Sequence, residues 1–468
     1  MPLYALALFA ALLGYDQLGF RPEPADATLW TVSIAIKIAV ALAWWRLCRR
    51  VTNNWSDPGI TRSINRLYRF GDAYGPATVL LFLLDLALGT LAATRNLMGD
   101  LILLDELAAL LPTLLLLTWR WVPYEPIDRW LREAVMTRRM IEGQPVYPSG
   151  SRTQYVTDQL RHQLAPILLP MVLILGWLET LNLLNPAPTT GLILMITGVA
   201  VVMLLAAPLI LSAWRTQPVG PGELRDDLEA LCARQGVRPG GFRLWITEGR
   251  LANAAVLGLA WPLRYVLISD TILDHLPKSQ VLGVLAHEVA HVRERHALWL
   301  GLGTLVVAWG IELALYVSPF GEALVEAATA AQPDTNQVLL LATLPILVAL
   351  PWILAMGFLS RRFERQADAA GARELSAHLA PDAQTITPEA ADTMCHALGQ
   401  VASLNGMNPA RFMWRHGSIH ERQVHLRSLV GKPHDQLPID NLITSIRRSI
   451  IVAGILGIAI GYTTGMIG

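Results

Sequence analysis

The residues whose types and spacing point to chemistry begin at His287-Glu288-Val289-Ala290-His291. The flanks are apolar and no proline stands between Lys278 and Pro319, so the stretch reads as helix. Positions four apart share one helical face, ~5–6 Å apart. Two imidazoles so placed can grip one zinc ion, each through one ring nitrogen. Glu288 is rotated ~100° around the helix from His287. From there its carboxylate reaches a water beside the metal without being a ligand. Zinc lowers the pKa of such a water toward ~7, and the glutamate can take its proton and later pass it to a leaving amine. The ordinary alternative is a helix with two incidental histidines, so the rest of the chain has to decide.

A catalytic zinc needs a third protein ligand and an open fourth position. The next informative stretch is Ser360-Arg361-Arg362-Phe363-Glu364-Arg365-Gln366-Ala367-Asp368. Glu364 and Asp368 lie one turn apart on one helical face, and either carboxylate can reach such a metal.

The elements that must position these groups are membrane elements. The chain has 468 residues, 53% hydrophobic and 16% charged, with a mean hydropathy of +0.41. Soluble domains carry about 25% charge, so a polytopic membrane protein is expected. The formal net charge is zero, which leaves no basic excess for nucleic acid. Three scattered cysteines, Cys48, Cys232 and Cys395, suggest neither a disulfide framework nor a cysteine metal site. The apolar N-terminus reads as a retained span and not a cleaved signal peptide.

Apolar runs long enough to span occur near 2–20, 29–47, 76–94, 101–119, 164–184, 190–213, 297–316, 338–359 and 449–467. Nine spans are expected, with eight as the close alternative. The 46–75 and 120–163 loops are rich in arginine, whereas the 317–337 segment carries Glu322, Glu326 and Asp334 and no basic residue. By the positive-inside rule the basic side is cytoplasmic, which places the N-terminus inside, the C-terminus outside and the zinc motif toward the cytoplasm. Lys37, Asp85, Asp105, Glu106 and Glu312 fall inside spans, where charge is expensive, and a Lys37–Asp85 pair is one reading. The 122–142 stretch carries Ile127, Trp130, Leu131, Ala134 and Val135 on one face. It reads either as a helix lying flat on the membrane or as an ordinary amphipathic helix packed on the soluble domain. Gly457, Gly461 and Gly465 suggest close helix packing in the membrane.

Between about 215 and 296 a polar block shows a helix from Pro221 to Gln235 and strands at 242–246, 252–257 and 265–268. A second block, 360–446, looks helical. The domain organisation is therefore 1–214, a membrane region of about six spans; 215–296, a soluble part with a small sheet and the His-Glu helix; 297–359, a transmembrane hairpin; 360–446, a soluble helical part; and 447–468, a last span.

His287-Glu288-Val289-Ala290-His291, followed after a hairpin by Glu364 and Asp368, resembles the integral-membrane zinc metallopeptidases of the HtpX and CAAX-prenyl-protease type. Ala252-Asn253-Ala254 resembles their Asn-Ala edge-strand motif. His416 with Arg422 six residues on resembles their C-terminal motif, with Gly417 where that family usually has Pro. The matched motifs cover roughly 240–425, and the first six spans carry none. The resemblance implies that His287, His291 and Glu364 ligate one zinc per chain and that Glu288 is the general base. Helix lengths agree. His291 lies six residues before the span at Ala297, and Glu364 five residues after the span ending at Leu359. Both sets then stand about 8–9 Å above one membrane face.

The resemblance further implies that Asp368 accepts the second ring N–H of a ligating histidine. A salt bridge to Arg365 or Arg361 is its ordinary alternative. Asn253 and Ala254 would pair an edge strand with an extended substrate backbone. His416 and Arg422 would steady the oxyanion, or orient Asp368 or the substrate. The other histidines, His296 among them, read as ordinary.

The expected fold is mainly α: a polytopic transmembrane helical protein with a small α+β zincin-like metalloprotease domain on the cytoplasmic face. The expected activity is a zinc endopeptidase acting on misfolded or membrane-associated proteins in a bacterial inner membrane. Its partners are protein or peptide substrates and the bilayer, without nucleic acid. The alternatives are a prenyl-protein protease and a catalytically inactive scaffold or transporter-like protein.

Overall fold

The computed structural model describes residues 24–54, 60–99, 101–141, 143, 146–147, 150–330 and 335–466, with isolated positions between 4 and 12. It divides into two units, Met1–Arg215 with Gly258–Leu263, and Thr216–Leu257 with Arg264–Gly468.

The first unit is helical: α1 Ala27–Thr52, α2 Ile60–Ala87, α3 Thr90–Met98, α4 Leu104–Trp119, α5 Trp121–Ile141, α6 Arg152–Gln159, a π-turn at Leu160–Leu164, α7 Ala165–Leu184 and α8 Pro188–Ala213. Asp26 starts α1 by accepting from the Leu29 N–H at 2.8 Å. The apolar run at 76–94 does not form one span. Gly89, with φ +78, breaks the helix after Ala87, and the span-length element starts earlier, at Arg62. Four of the charges inside the apolar segments are paired. Lys37 Nζ lies 2.5 Å from Asp85 Oδ2, so the expected pair forms. Arg95 holds both Asp105, at 2.8 Å, and Glu106, at 2.6 Å. In α5, Ile127 is buried and Leu131 packs against the cluster around Trp44 and Tyr74. That face packs against helices of its own unit.

The second unit contains β1 Thr216–Pro218, α9 Glu223–Arg234, β2 Gly241–Trp245, β3 Ala254–Leu257, β4 Tyr265–Ser269 and α10 Asp270–His275. It continues with α11 Lys278–Arg293, α12 His296–Tyr316, α13 Pro319–Thr329, α14 Thr335–Leu379, α15 Pro388–Leu404, α16 Ile419–Ser428 and α17 Pro438–Thr463. The sheet order is β1-β2-β4-β3, with β2 and β4 parallel and both outer pairs antiparallel. β1 escapes a sequence reading because three residues ending in proline carry no alternation.

α11 is apolar nearly all round because it is buried on two sides. Val281, Leu285 and Val289 join the core built on the sheet and α9. Leu282 joins a second core formed with Phe363, Leu375, Met394 and Leu426.

Among the described residues seven helices are long and apolar enough to cross a membrane: Ala27–Thr52, Arg62–Ala87, Leu104–Glu133, Arg152–Leu184, Pro188–Ala213, His296–Tyr316 and Pro438–Thr463. The chain is a multi-pass helical membrane protein with a small α+β part. The expected 2–20 span lies largely outside the described residues. The 338–359 run lies within α14, which continues without a break through Glu364 and Asp368 to Leu379. Gly457 gives the expected close packing, since a Cβ there would come 2.8 Å from Cδ1 of Trp309 on α12.

Candidate metal centre

α11 and α14 cross at two glycines. A Cβ on Gly371 would sit 3.2 Å from the Gly283 carbonyl oxygen, and one on Gly283 would meet Leu375 Cδ1 at 2.8 Å. The absent side chains let the two backbones approach closely. His287 and His291 lie just beyond Gly283 along α11, and Glu364 and Asp368 just before Gly371 along α14.

One donor atom from each of His287, His291 and Glu364 lies within 4.8 Å of the other two. The two Nε2 atoms are 3.2 Å apart. His287 Nε2 is 3.6 Å from Glu364 Oε2, and His291 Nε2 is 3.8 Å from Oε1. Donors held at ~2.0–2.1 Å in a tetrahedral set stand ~3.3 Å apart, so this trio fits one small cation. Glu288 sits half-buried beside the trio and makes no part of it. Burial pushes its carboxyl up to about 7, against the pull of neighbouring His287.

Asp368 is fully buried, with Oδ1 3.0 Å from His287 Nδ1. Its other partner is neither Arg361 nor Arg365. Arg422 donates Nε to Oδ2 at 2.8 Å and Nη2 to Oδ1 at 2.6 Å. Nη1 of the same guanidinium lies 3.2 Å from Glu364 Oε2. The buried Arg422 is thus committed to two carboxylates. Burial disfavours charge on Glu364, yet His416 and Arg422 outweigh it and hold the group well below the usual carboxylate range. Burial likewise opposes charge on Asp368, and Arg422 overrides it, keeping the carboxylate ionised. Burial opposes charge on Arg422 too, and Asp368 raises it above the usual value. Burial lowers His287, but Asp368 more than compensates and the net shift is upward. His291 is lowered, by burial and then by His287, which favours the neutral ring a metal requires.

α16, which carries Arg422, starts with a capping box between Ser418 and Glu421. Just before it Gly417 has φ +72, a conformation closed to the proline that the resemblance would place there. The turn delivers His416, whose side chain is 41% exposed, with Nδ1 2.8 Å from Glu364 Oε1.

Asn253 stands exposed at the start of the edge strand β3. Its N–H donates to Ser269 Oγ at 3.0 Å and its carbonyl accepts from Ser269 N–H at 2.9 Å. Ala252 is clamped by Asn405, whose Oδ1 accepts its N–H at 3.0 Å and whose Nδ2 donates to its carbonyl at 2.8 Å. Ala254 is buried in the core that includes Leu285 and Val289 of α11. The edge strand therefore packs on the helix that carries the histidines.

One site residue is missing from the sequence reading. His296 Nδ1 lies 2.8 Å from His291 Nδ1, and its Nε2 lies 2.9 Å from Gln366 Oε1. Gln366 donates to Asp440 at 2.7 Å, and Arg373 pairs with the same carboxylate at 2.8 Å. Phe363 stacks on the His296 ring, centroids 4.5 Å apart. A spacing of five is not a contact spacing within a helix. The contact exists because α11 does not run on into α12. Arg295, with φ +53, breaks the helix and turns His296 back.

Comparison with known proteins places these residues in a family context. Residues 221–429 match the family model described as Peptidase family M48. The protease HtpX homolog of Aeropyrum pernix is 33% identical over 113 residues, which cover 23% of this chain and 35% of that protein. The chain thus spans about a third of the length of that curated relative. The crystal structure of S. mikatae Ste24p aligns with a TM-score of 0.48 at 16% identity, over 86% of this chain and 100% of that one. The metallopeptidase resemblance drawn from the motifs is borne out by the M48 match, and every residue of the donor trio lies inside it.

Proposed function

We propose that this chain is a membrane-embedded, zinc-dependent endopeptidase that hydrolyses peptide bonds of misfolded or membrane-associated proteins. The observation that carries this reading is the convergence of His287, His291 and Glu364 within 4.8 Å, inside a region matching a peptidase family. Two neutral nitrogens and one carboxylate are a donor set suited to catalytic zinc. Zinc bound there supplies Lewis acidity, polarising a carbonyl and easing the ionisation of water.

The chain's own groups do the rest. Glu288 removes the proton of the attacking water and returns it to the departing amine. Its raised carboxyl, about 7, suits a group that must both take and give a proton near neutrality. Asp368 holds His287 with Nε2 turned to the trio, and Arg422 holds both Asp368 and Glu364 in place. Arg422 thus orients ligands and is not free to meet the oxyanion. We assign that role to His416, whose side chain is partly exposed. His296 fixes the tautomer of His291. With His291 Nε2 at the trio, Nδ1–H donates to His296 Nδ1, His296 Nε2–H donates to Gln366, and Gln366 donates to Asp440. The edge strand at Asn253 and Ala254 offers its backbone to an extended substrate, which suits broad sequence tolerance. The alternation of basic segments supports a site facing the cytoplasm, and the location proposed with it is a bacterial inner membrane.

The test is metal removal. Chelation should abolish cleavage of an unfolded model protein, and equimolar zinc should restore it. Full cleavage by a metal-free chain would overturn the reading.

A further inference from the structure

The loop between α15 and α16 carries His416 near its end, and it lies against a surface that an ordinary soluble loop would not choose. The Trp414 indole N–H donates to the Ile353 carbonyl at 2.9 Å. Its ring packs near Trp352, centroids 6.3 Å apart, and a Cβ on Gly357 would come within 2.4 Å of its Nε1. Ile353 belongs to the apolar run that ends at Leu359. Six residues of helix place Trp414 about 9 Å inside the end of that run. Here α14 presents Leu350, Leu354 and Phe358 outward, exposed at 52%, 62% and 41%. Phe412, at the loop tip, is 58% exposed.

Arginines surround this apolar tip. Arg361 lies 5.4 Å over the Phe412 ring and donates Nη1 to the Trp414 carbonyl at 2.8 Å. Arg362 lies 3.7 Å over Phe358. Arg411 and Arg415 are exposed on either side of Phe412. No acidic residue occurs from Asn405 to His416.

We propose that the 406–416 segment is an interfacial loop seated in the bilayer, with Phe412 at the acyl boundary and Arg411 and Arg415 on anionic phospholipid headgroups. Three observations agree on that occupant. The depth matches the ~5–10 Å at which interfacial elements lie. Tryptophans gather where aromatic belts form. The loop's fixed charges, Arg411 and Arg415, are both basic and complement an anionic leaflet. The bilayer then helps hold His416 against Glu364 and brings the site to the membrane surface, where membrane-associated substrates arrive. That consequence rests on the protease reading; the lipid contact does not.

The test uses the full chain in nanodiscs, with Phe412→Cys labelled by an environment-sensitive fluorophore. Cys48, Cys232 and Cys395 are buried. Ser428→Cys, an exposed position on α16, is the reference. Lipids brominated near the headgroup end of the acyl chain should quench the label at 412 and not at 428. Replacing part of the phosphatidylcholine with phosphatidylglycerol should deepen the quenching, and Arg411→Gln with Arg415→Gln should remove that increment. A label at 412 that neither lipid quenches, whether open to water or covered by a second copy of the chain, overturns the proposal. So does an increment that survives the double substitution. Quenching as expected in a chain that cleaves nothing upholds the lipid contact and overturns only the protease reading.

Discussion

His296 reaches back across a helix break to place its Nδ1 2.8 Å from Nδ1 of His291, five residues earlier. It links a donor of the metal trio, through Gln366, to Asp440 near the start of the last helix. A partner of this kind typically contributes 10–100-fold to metal affinity. His296→Ala should therefore raise the zinc dissociation constant by ~10–100-fold, read by competition with a chelating dye. Unchanged affinity would reduce His296 to a packing residue.

Glu364 and Asp368 should separate cleanly. Glu364 faces both Nε2 atoms, whereas Asp368 meets His287 from behind, at Nδ1. Glu364→Ala should purify essentially without zinc. Asp368→Ala should fill when free zinc is raised, because a supporting partner contributes only ~10–100-fold. The reverse pattern would exchange the two roles.

Arg422→Ala should destabilise the second unit. The guanidinium is buried against two carboxylates, and removing one partner of such a cluster costs ~3–5 kcal/mol. Thermal unfolding in detergent should show a clear drop in midpoint. A midpoint within the scatter of the unsubstituted chain would mean that Asp368 finds another partner.

The orientation is open to labelling. Glu322→Cys on α13 should react with an impermeant thiol reagent on intact cells, and Ser428→Cys on α16 should not. Both positions are exposed. The opposite result would invert the topology read from the basic loops.

The histidine pair could be read from its spacing, whereas Glu364 was singled out from Asp368 by the family resemblance together with helix lengths. Four residues separate the histidines, and both ligand helices lie at similar distances from apolar runs. The α9 helix and three strands were legible from spacing as well, through the faces of Leu224, Leu228 and Leu231 and the alternation around Phe242. His296 was not legible, since its role depends on a left-handed turn at Arg295 that no spacing encodes. Nor was the double engagement of Arg422, which needs the depth of α16 against α14. The third span was misplaced because hydropathy does not register the turn at Gly89. The Trp414 contact with Ile353 joins residues 61 apart through a backbone carbonyl, which side-chain pattern cannot reveal.

The central claim is that Glu288 does the proton chemistry beside a metal held by His287, His291 and Glu364. The most direct measurement pairs zinc content with cleavage of an unfolded protein in Glu288→Gln. The account predicts close to one zinc per chain, as in the unsubstituted protein, with hydrolysis reduced by at least ~100-fold. Cleavage at the unsubstituted rate, or a loss of zinc that accompanies the loss of activity, would contradict it.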